Sequence, residues 1–118
     1  MGALIIKAIR RFIERGRKGY CYEDLWSWDY FFSKLIARSL KDFRQIVHGY
    51  PTDVKTFEDW LKILDEIIDC FEEQTRSDSD NTVDEGYLKR LKEREKYKQE
   101  KLHKGLQILE KYYYRLWD

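Results

Sequence analysis

The sequence predicts an all-α protein, a helical bundle of about four helices with a long last one. Three observations predict it. Apolar residues recur at intervals of three and four along most of the 118 residues. Charged residues make up 38% of the chain, as in long amphipathic helices, and no segment reads as a credible strand. Gly and Pro are scarce, six and one, so collagen-like, proline-rich and wholly disordered readings fall away. A chain of this length supports one core, so residues 1–118 read as a single domain.

The first helix is expected over about Ala3–Gly16. Ile5, Ile9, Phe12 and Ile13 share one face with Ala8 beside them, and Lys7, Arg10, Arg11 and Glu14 lie opposite. Gly16 is its expected stop. Residues 1–18 carry six basic groups against Glu14, about +5. An aromatic connector follows, then Ser27 as an N-cap with Asp29 in the first turn, where a negative charge suits the helix dipole. The second helix is expected over about Trp28–His48, with Trp28, Phe32, Leu35, Ile36, Leu40, Phe43 and Val47 on one face and Gly49 and Pro51 behind it as a stop.

Thr56 starts the third helix and forms a variant capping box with Asp59. Its apolar stripe is Phe57, Trp60, Leu61, Leu64, Ile67, Ile68 and Phe71, and its outer face is acidic. Twelve acids and three bases lie between Asp53 and Glu85, a block of −9 within a chain of net charge +1. Residues 75–83 read as a polar loop. The fourth helix is expected over about Asp84–Trp117, near 50 Å long at a rise of about 1.5 Å per residue. Its middle, Lys92 to Lys101, has only Tyr97 as a large apolar group. That stretch is left to project into solvent, to bend, or to meet another protomer. The expected core is Ile9, Phe12, Phe32, Leu35, Ile36, Leu40, Phe43, Trp60, Leu64, Ile67, Phe71, Leu106, Leu109 and Leu116.

Several chemistries find no support. The donors Cys21, His48, Cys70 and His103 lack paired spacing, so no metal site is expected, and two cysteines make no disulfide framework. Asp78-Ser79-Asp80-Asn81-Thr82 fails as a calcium loop, because Val83 stands where Gly is needed. There is no nucleophile elbow, no phosphate-binding glycine motif and no placed Cys–His pair, so neither an enzyme nor a cofactor is expected. The near-zero net charge argues against a polymeric nucleic acid as partner. No run of eighteen apolar residues and no signal peptide is visible, and a cytoplasmic protein is the expectation. The first helix is basic and amphipathic, but it is short and a bundle needs its stripe, so no membrane role is expected.

Binding features are more suggestive. Arg15-Gly16-Arg17-Lys18-Gly19-Tyr20 joins cations, flexible backbone and a ring, a combination that can clamp a phosphate and stack a base. The plain alternative is a basic helix end that favours the helix dipole. Seven rings crowd residues 20–32, and they point around the full helix circumference. Some must reach a second contact: a pocket, a partner or a neighbouring protomer. Trp26 and Trp28 stay open between core and pocket. The closing run Tyr112-Tyr113-Tyr114-Arg115-Leu116-Trp117-Asp118 suggests docking in the protomer's own core or a dimer contact.

Four pieces of the sequence together carry a resemblance: Gly19-Tyr20-x-x-x-Asp24-Leu25-Trp26-x-x-Asp29, His48-Gly49-Tyr50-Pro51, Trp60 near a helix start, and Lys111-Tyr112-Tyr113-x-x-Leu116-Trp117-Asp118. The set resembles a family of small uncharacterised proteins of bacteriophages and prophages and spans nearly the whole chain. The resemblance implies a setting in the host cytoplasm and no mechanism. Small non-enzymatic phage proteins often interfere with host defence, some as oligomeric sponges for nucleotide messengers. The expected function is therefore sequestration of a small nucleotide-derived immune signal, of cyclic nucleotide or ADP-ribose type, by a homo-oligomer. The expected ligand-binding residues are Arg11, Arg15, Arg17, Lys18, Tyr20, Trp26, Asp29 and Tyr50. Asp24 or Asp29 would accept from ribose hydroxyls. The alternatives are a module that blocks a host protein through the acidic third helix and exposed aromatics, and a phage structural or replication accessory.

Overall fold

The structure, a computed structural model, describes residues 2–77 and 83–117. The chain is all-α. Its helices are α1 (Gly2–Lys18), α2 (Trp28–Ile46), α3 (Phe57–Thr75) and α4 (Tyr87–Tyr112), with 3-10 turns at Tyr22–Leu25 and Tyr113–Arg115. At 26 residues α4 is the longest, as expected. Residues 78–82, which held the calcium-loop candidate and most of the expected polar loop, lie outside the described residues, as does Asp118. The chain divides into two compact units, Met1–Phe32 and Ser33–Asp118.

The helix ends follow from local chemistry. α1 runs past Gly16 and stops at Gly19, whose φ of 87° lies in the left-handed region; the Gly19 N–H donates to the Arg15 carbonyl at 2.9 Å. A residue without a Cβ adopts that conformation at little cost. Gly16 stays within the helix, where no left-handed residue is needed. At the start of α3, the Thr56 hydroxyl accepts from the Asp59 N–H at 3.0 Å, one half of the expected capping box. α2 ends at Ile46, two residues short of expectation.

The larger unit has its core along α3. Trp60, Leu64, Ile67 and Phe71 are completely or almost completely buried, each contributing about 1.5–3 kcal/mol of apolar burial. Val47, Val54, Trp60, Leu64 and Tyr112 form one cluster, with Phe43, Phe57, Leu61, Ile63, Ile108 and Leu116 packed against it. α3 and α4 approach each other closely at Gly105. A Cβ added there would sit 2.7 Å from the Cys70 Cβ and 3.3 Å from the Phe71 ring. Glycine in mid-helix costs about 1 kcal/mol relative to alanine, and close approach is what offsets it here.

The polar middle of α4 is bound to α3 at its C-terminal end, while Lys92, Glu93, Glu95, Lys96 and Tyr97 are exposed. Lys101 pairs with Asp69 at 2.7 Å, Lys104 pairs with Glu66, and the Gln74 amide donates to the carbonyls of Cys70 and Lys98 at 3.2 and 2.9 Å. The Lys98 ammonium donates to the Arg76 carbonyl at 2.8 Å. On its other flank α3 is paired to α2, Asp65 with Arg44 at 2.6 Å and Glu72 with Lys41. The acidic face expected to point outward is thus largely spent inside the unit.

Part of the expected core lies outside. α1 buries no residue, and its Ile9 and Phe12 are exposed. Leu35 and Leu106 are exposed too, and α2 buries Ser33, Ala37 and Leu40. The 3.6-residue period identified α2 as a helix, but its covered face is rotated toward the smaller side chains.

Two predictions follow from this packing. Gly105→Ala should destabilise the protein by about 1–3 kcal/mol in urea unfolding, despite the better helix propensity of alanine, because the methyl group overpacks Cys70 and Phe71. The Lys101 ammonium, by its hydrogen bond and charge, holds the Asp69 carboxyl below its ordinary value. That pair therefore stabilises the fold above the ordinary carboxylate range, and the contribution disappears as the pH falls through the lowered folded value. Asp69→Asn should lower Tm by about 2–5 °C at neutral pH and by nothing near pH ~2, measured by melts across the acid range.

Candidate functional site

The expected ligand-binding residues fall into two groups. Seven belong to the Met1–Phe32 unit and Tyr50 belongs to the Ser33–Asp118 unit. In the first unit the polar face of α1 is closed by the connector that follows it. Arg10 reaches Glu14 at 2.8 Å and Glu23 at 2.7 Å, and Arg11 pairs with Glu23. Arg15 grips Asp24 with two nitrogens, at 2.8 and 3.1 Å. The Asp24 oxygen that takes Arg15 Nε also accepts from the Cys21 N–H, and the second Glu14 oxygen accepts from the Tyr22 N–H, each at 2.8 Å.

This network changes the role of the chosen cations. The bidentate fork of Arg15, suited to phosphate, already holds a carboxylate. Hydrogen bonding to Arg15 keeps the Asp24 carboxyl well below the usual carboxylate range, and Arg10 and Arg11 lower that of Glu23 in the same way. Asp24 is thus an anchor for Arg15. Arg17 and Lys18 sit exposed at the end of α1 and enter no ion pair among the described residues. Tyr20 is exposed beside them in sequence, and Asp29 is exposed in the first turn of α2. Trp26 is largely exposed and meets the Tyr22 ring edge-on at 5.7 Å, while Trp28 stacks on Phe32 at 5.0 Å.

Tyr50 stands in a different and better-formed place. Val47 and Val54, both buried, pin the two ends of the loop that joins α2 to α3. Within it the Val54 N–H donates to the Pro51 carbonyl at 3.0 Å, closing a turn. The 3-10 turn after α4 brings Arg115 and Trp117 to the same loop, where Arg115 pairs with Asp53 at 2.8 Å. Trp60, 1% exposed, meets Tyr112 edge-on at 5.4 Å. Gly49, Tyr50, Pro51, Trp60, Arg115 and Trp117 line a cleft of about 230 Å³.

Arg115 gives one nitrogen to Asp53, and a guanidinium has five N–H donors, so donors remain for an anion in the cleft. Tyr50 and Trp117, both exposed, offer ring faces beside it. Among the described residues the lining contains no carboxylate, imidazole or thiol.

Sequence reasoning selected Tyr50 here and missed Arg115, Trp117 and the pocket edge of Trp60, which it counted as core. A signal for them was present. His48-Gly49-Tyr50-Pro51, Trp60 and the terminal run are three of the four pieces that carry the family resemblance, and they are far apart in sequence. No protein-family model, curated protein or solved structure matches this chain.

The ion-paired network yields a prediction for the first unit. Arg15→Ala removes both guanidinium hydrogen bonds to the carboxylate of Asp24 and leaves it to Cys21. It should raise the rate of amide exchange across residues 19–26 by about tenfold while leaving α3 and α4 protected, as read by hydrogen-exchange mass spectrometry.

Proposed function

We propose that this protein binds without catalysing, and that its ligand is a small nucleotide-derived molecule held by one ring and one anion. The observation that carries this reading is the cleft of Tyr50, Trp60, Arg115 and Trp117. Three aromatic side chains and one cation from three separate parts of the chain share a pocket of about 230 Å³. A base would stack on Tyr50 or Trp117, and a phosphate would take the remaining Arg115 donors. The volume lies below the ~300–1,000 Å³ of sites that enclose drug-sized ligands. It suits a base with its nearest phosphate, with the rest of a larger ligand outside.

The resemblance to phage proteins supplies the biological setting, sequestration of a host immune signal of cyclic nucleotide or ADP-ribose type. Arg17, Lys18, Tyr20 and Trp26 are a second location for the same chemistry, favoured by their exposure and by the absence of ion pairs at Arg17 and Lys18 among the described residues.

The test is a thermal-shift panel of cyclic nucleotides and ADP-ribose derivatives. One ligand should raise Tm by several degrees and be recovered intact after denaturation. Arg115→Glu and Trp117→Ala should each abolish the shift with Tm of the free protein within a few degrees of the parent. Loss with Arg17→Glu and Lys18→Glu instead would move the site to the end of α1. A flat panel with a folded protein would overturn the reading and favour a host protein as partner, with the exposed Tyr22, Trp26 and Trp28 rings as the contact.

A further inference from the structure

α1 is amphipathic, and its polar face is the occupied one. Glu23, Asp24 and the Tyr22 N–H close on Arg10, Arg11, Glu14 and Arg15. The opposite face holds Ile5, Ile6, Ile9, Phe12 and Ile13, each more than half exposed, with Phe12 at 79%. Gly2 and Gly16 extend the same face at its two ends. A helix that spends its polar side on its own chain leaves its apolar side for another occupant.

From this geometry we infer that the apolar face of α1 is a homodimer interface, in which α1 pairs antiparallel with α1 of a second copy about a two-fold axis at Ile9. The pattern is its own mirror. Reflected through position 9, Ile5 exchanges with Ile13, Ile6 with Phe12 and Gly2 with Gly16, and Ile9 meets its own copy. An isologous interface demands that self-complementarity, since each contact occurs twice. The glycines at both ends let the helices approach closely.

Area and charge point to the same occupant. With more than half of each large side chain outside, the face offers on the order of 500 Å² per protomer, so two such faces reach about 1,000 Å², the lower end for a specific interface. Arg10, beside the stripe, would lie across the axis from its symmetry mate, and it carries Glu14 and Glu23 with it, which removes the repulsion. The same ion pairs count against an anionic bilayer. A helix on such a surface uses the cations beside its apolar stripe, and here Arg10, Arg11 and Arg15 are turned back onto carboxylates of their own chain. The inference is independent of the ligand reading.

The test is the mass of the full chain by sedimentation equilibrium at tens of micromolar, with cysteine substitutions to fix the register. The parent should have twice the 14.5 kDa monomer mass. Ile9→Glu, which sets two carboxylates face to face on the axis, should give a monomer with unchanged helix content by circular dichroism. Ile13→Glu should do the same and guards against a local fault at position 9. Ile9→Cys should oxidise to a covalent dimer. Ile5→Cys should not dimerise alone but should cross-link when mixed with Ile13→Cys. The native Cys21 and Cys70 are buried and stay out of the reaction. A monomeric parent, with the face unused or covered by its own chain, would overturn the inference. So would a dimer that survives both Glu substitutions, or a monomer that sediments with phosphatidylserine vesicles and loses that binding in Ile9→Glu.

Discussion

The approach of α4 to α3 at Gly105 is the constraint on which the larger unit depends. With no side chain at that position, the Cys70 Cβ and the Phe71 ring can lie directly against the backbone of α4. Contact this close brings the lysines of α4 within reach of Asp69 and Glu66 and lets the Gln74 amide bridge the two helices. A larger residue would push the helices apart and weaken all of these together, because hydrogen bonds and ion pairs fall off steeply with distance. The polar seam contributes little energy per pair, since its members are partly exposed. Its value lies in register: it sets which turn of α4 faces which turn of α3.

That register carries through to the cleft. α4 places Tyr112 against Trp60, and the chain then turns so that Arg115 meets Asp53 and Trp117 lines the cleft together with Tyr50. Trp60 serves both ends of this arrangement, as a buried member of the core and as an edge of the cleft. The cleft is therefore built on the best-buried part of the molecule, which is the condition for a binding site that needs little reordering.

The first unit is organised on a different principle. It has few buried groups, and its cations and carboxylates hold α1 to the connector. The basic charge that made this segment attractive as a phosphate site is partly neutralised by acids a few residues further along, which take up Arg10, Arg11 and Arg15. Composition recorded the excess of cations over residues 1–18 but not that Glu23 and Asp24 fold back onto them. The consequence is a helix with its apolar side outward.

By itself the sequence determined the helical class, the existence of all four helices and the long last one, because apolar periodicity and caps such as Thr56 act over a few residues. It also marked Tyr50 and the three motif pieces that line the cleft. Tertiary structure alone decided which face of each helix is covered and what each charge meets. Ile9 and Phe12 have the periodicity of core residues and lie outside, whereas Gly105, which has no side chain, marks a close contact of two helices. Periodicity reports that a face exists, and only packing determines what covers it. Arg15 and Arg115 are alike in sequence terms, each a cation near rings. They differ because Asp24 takes both of the Arg15 nitrogens that face it, while Asp53 takes one from Arg115 at the rim of a cavity.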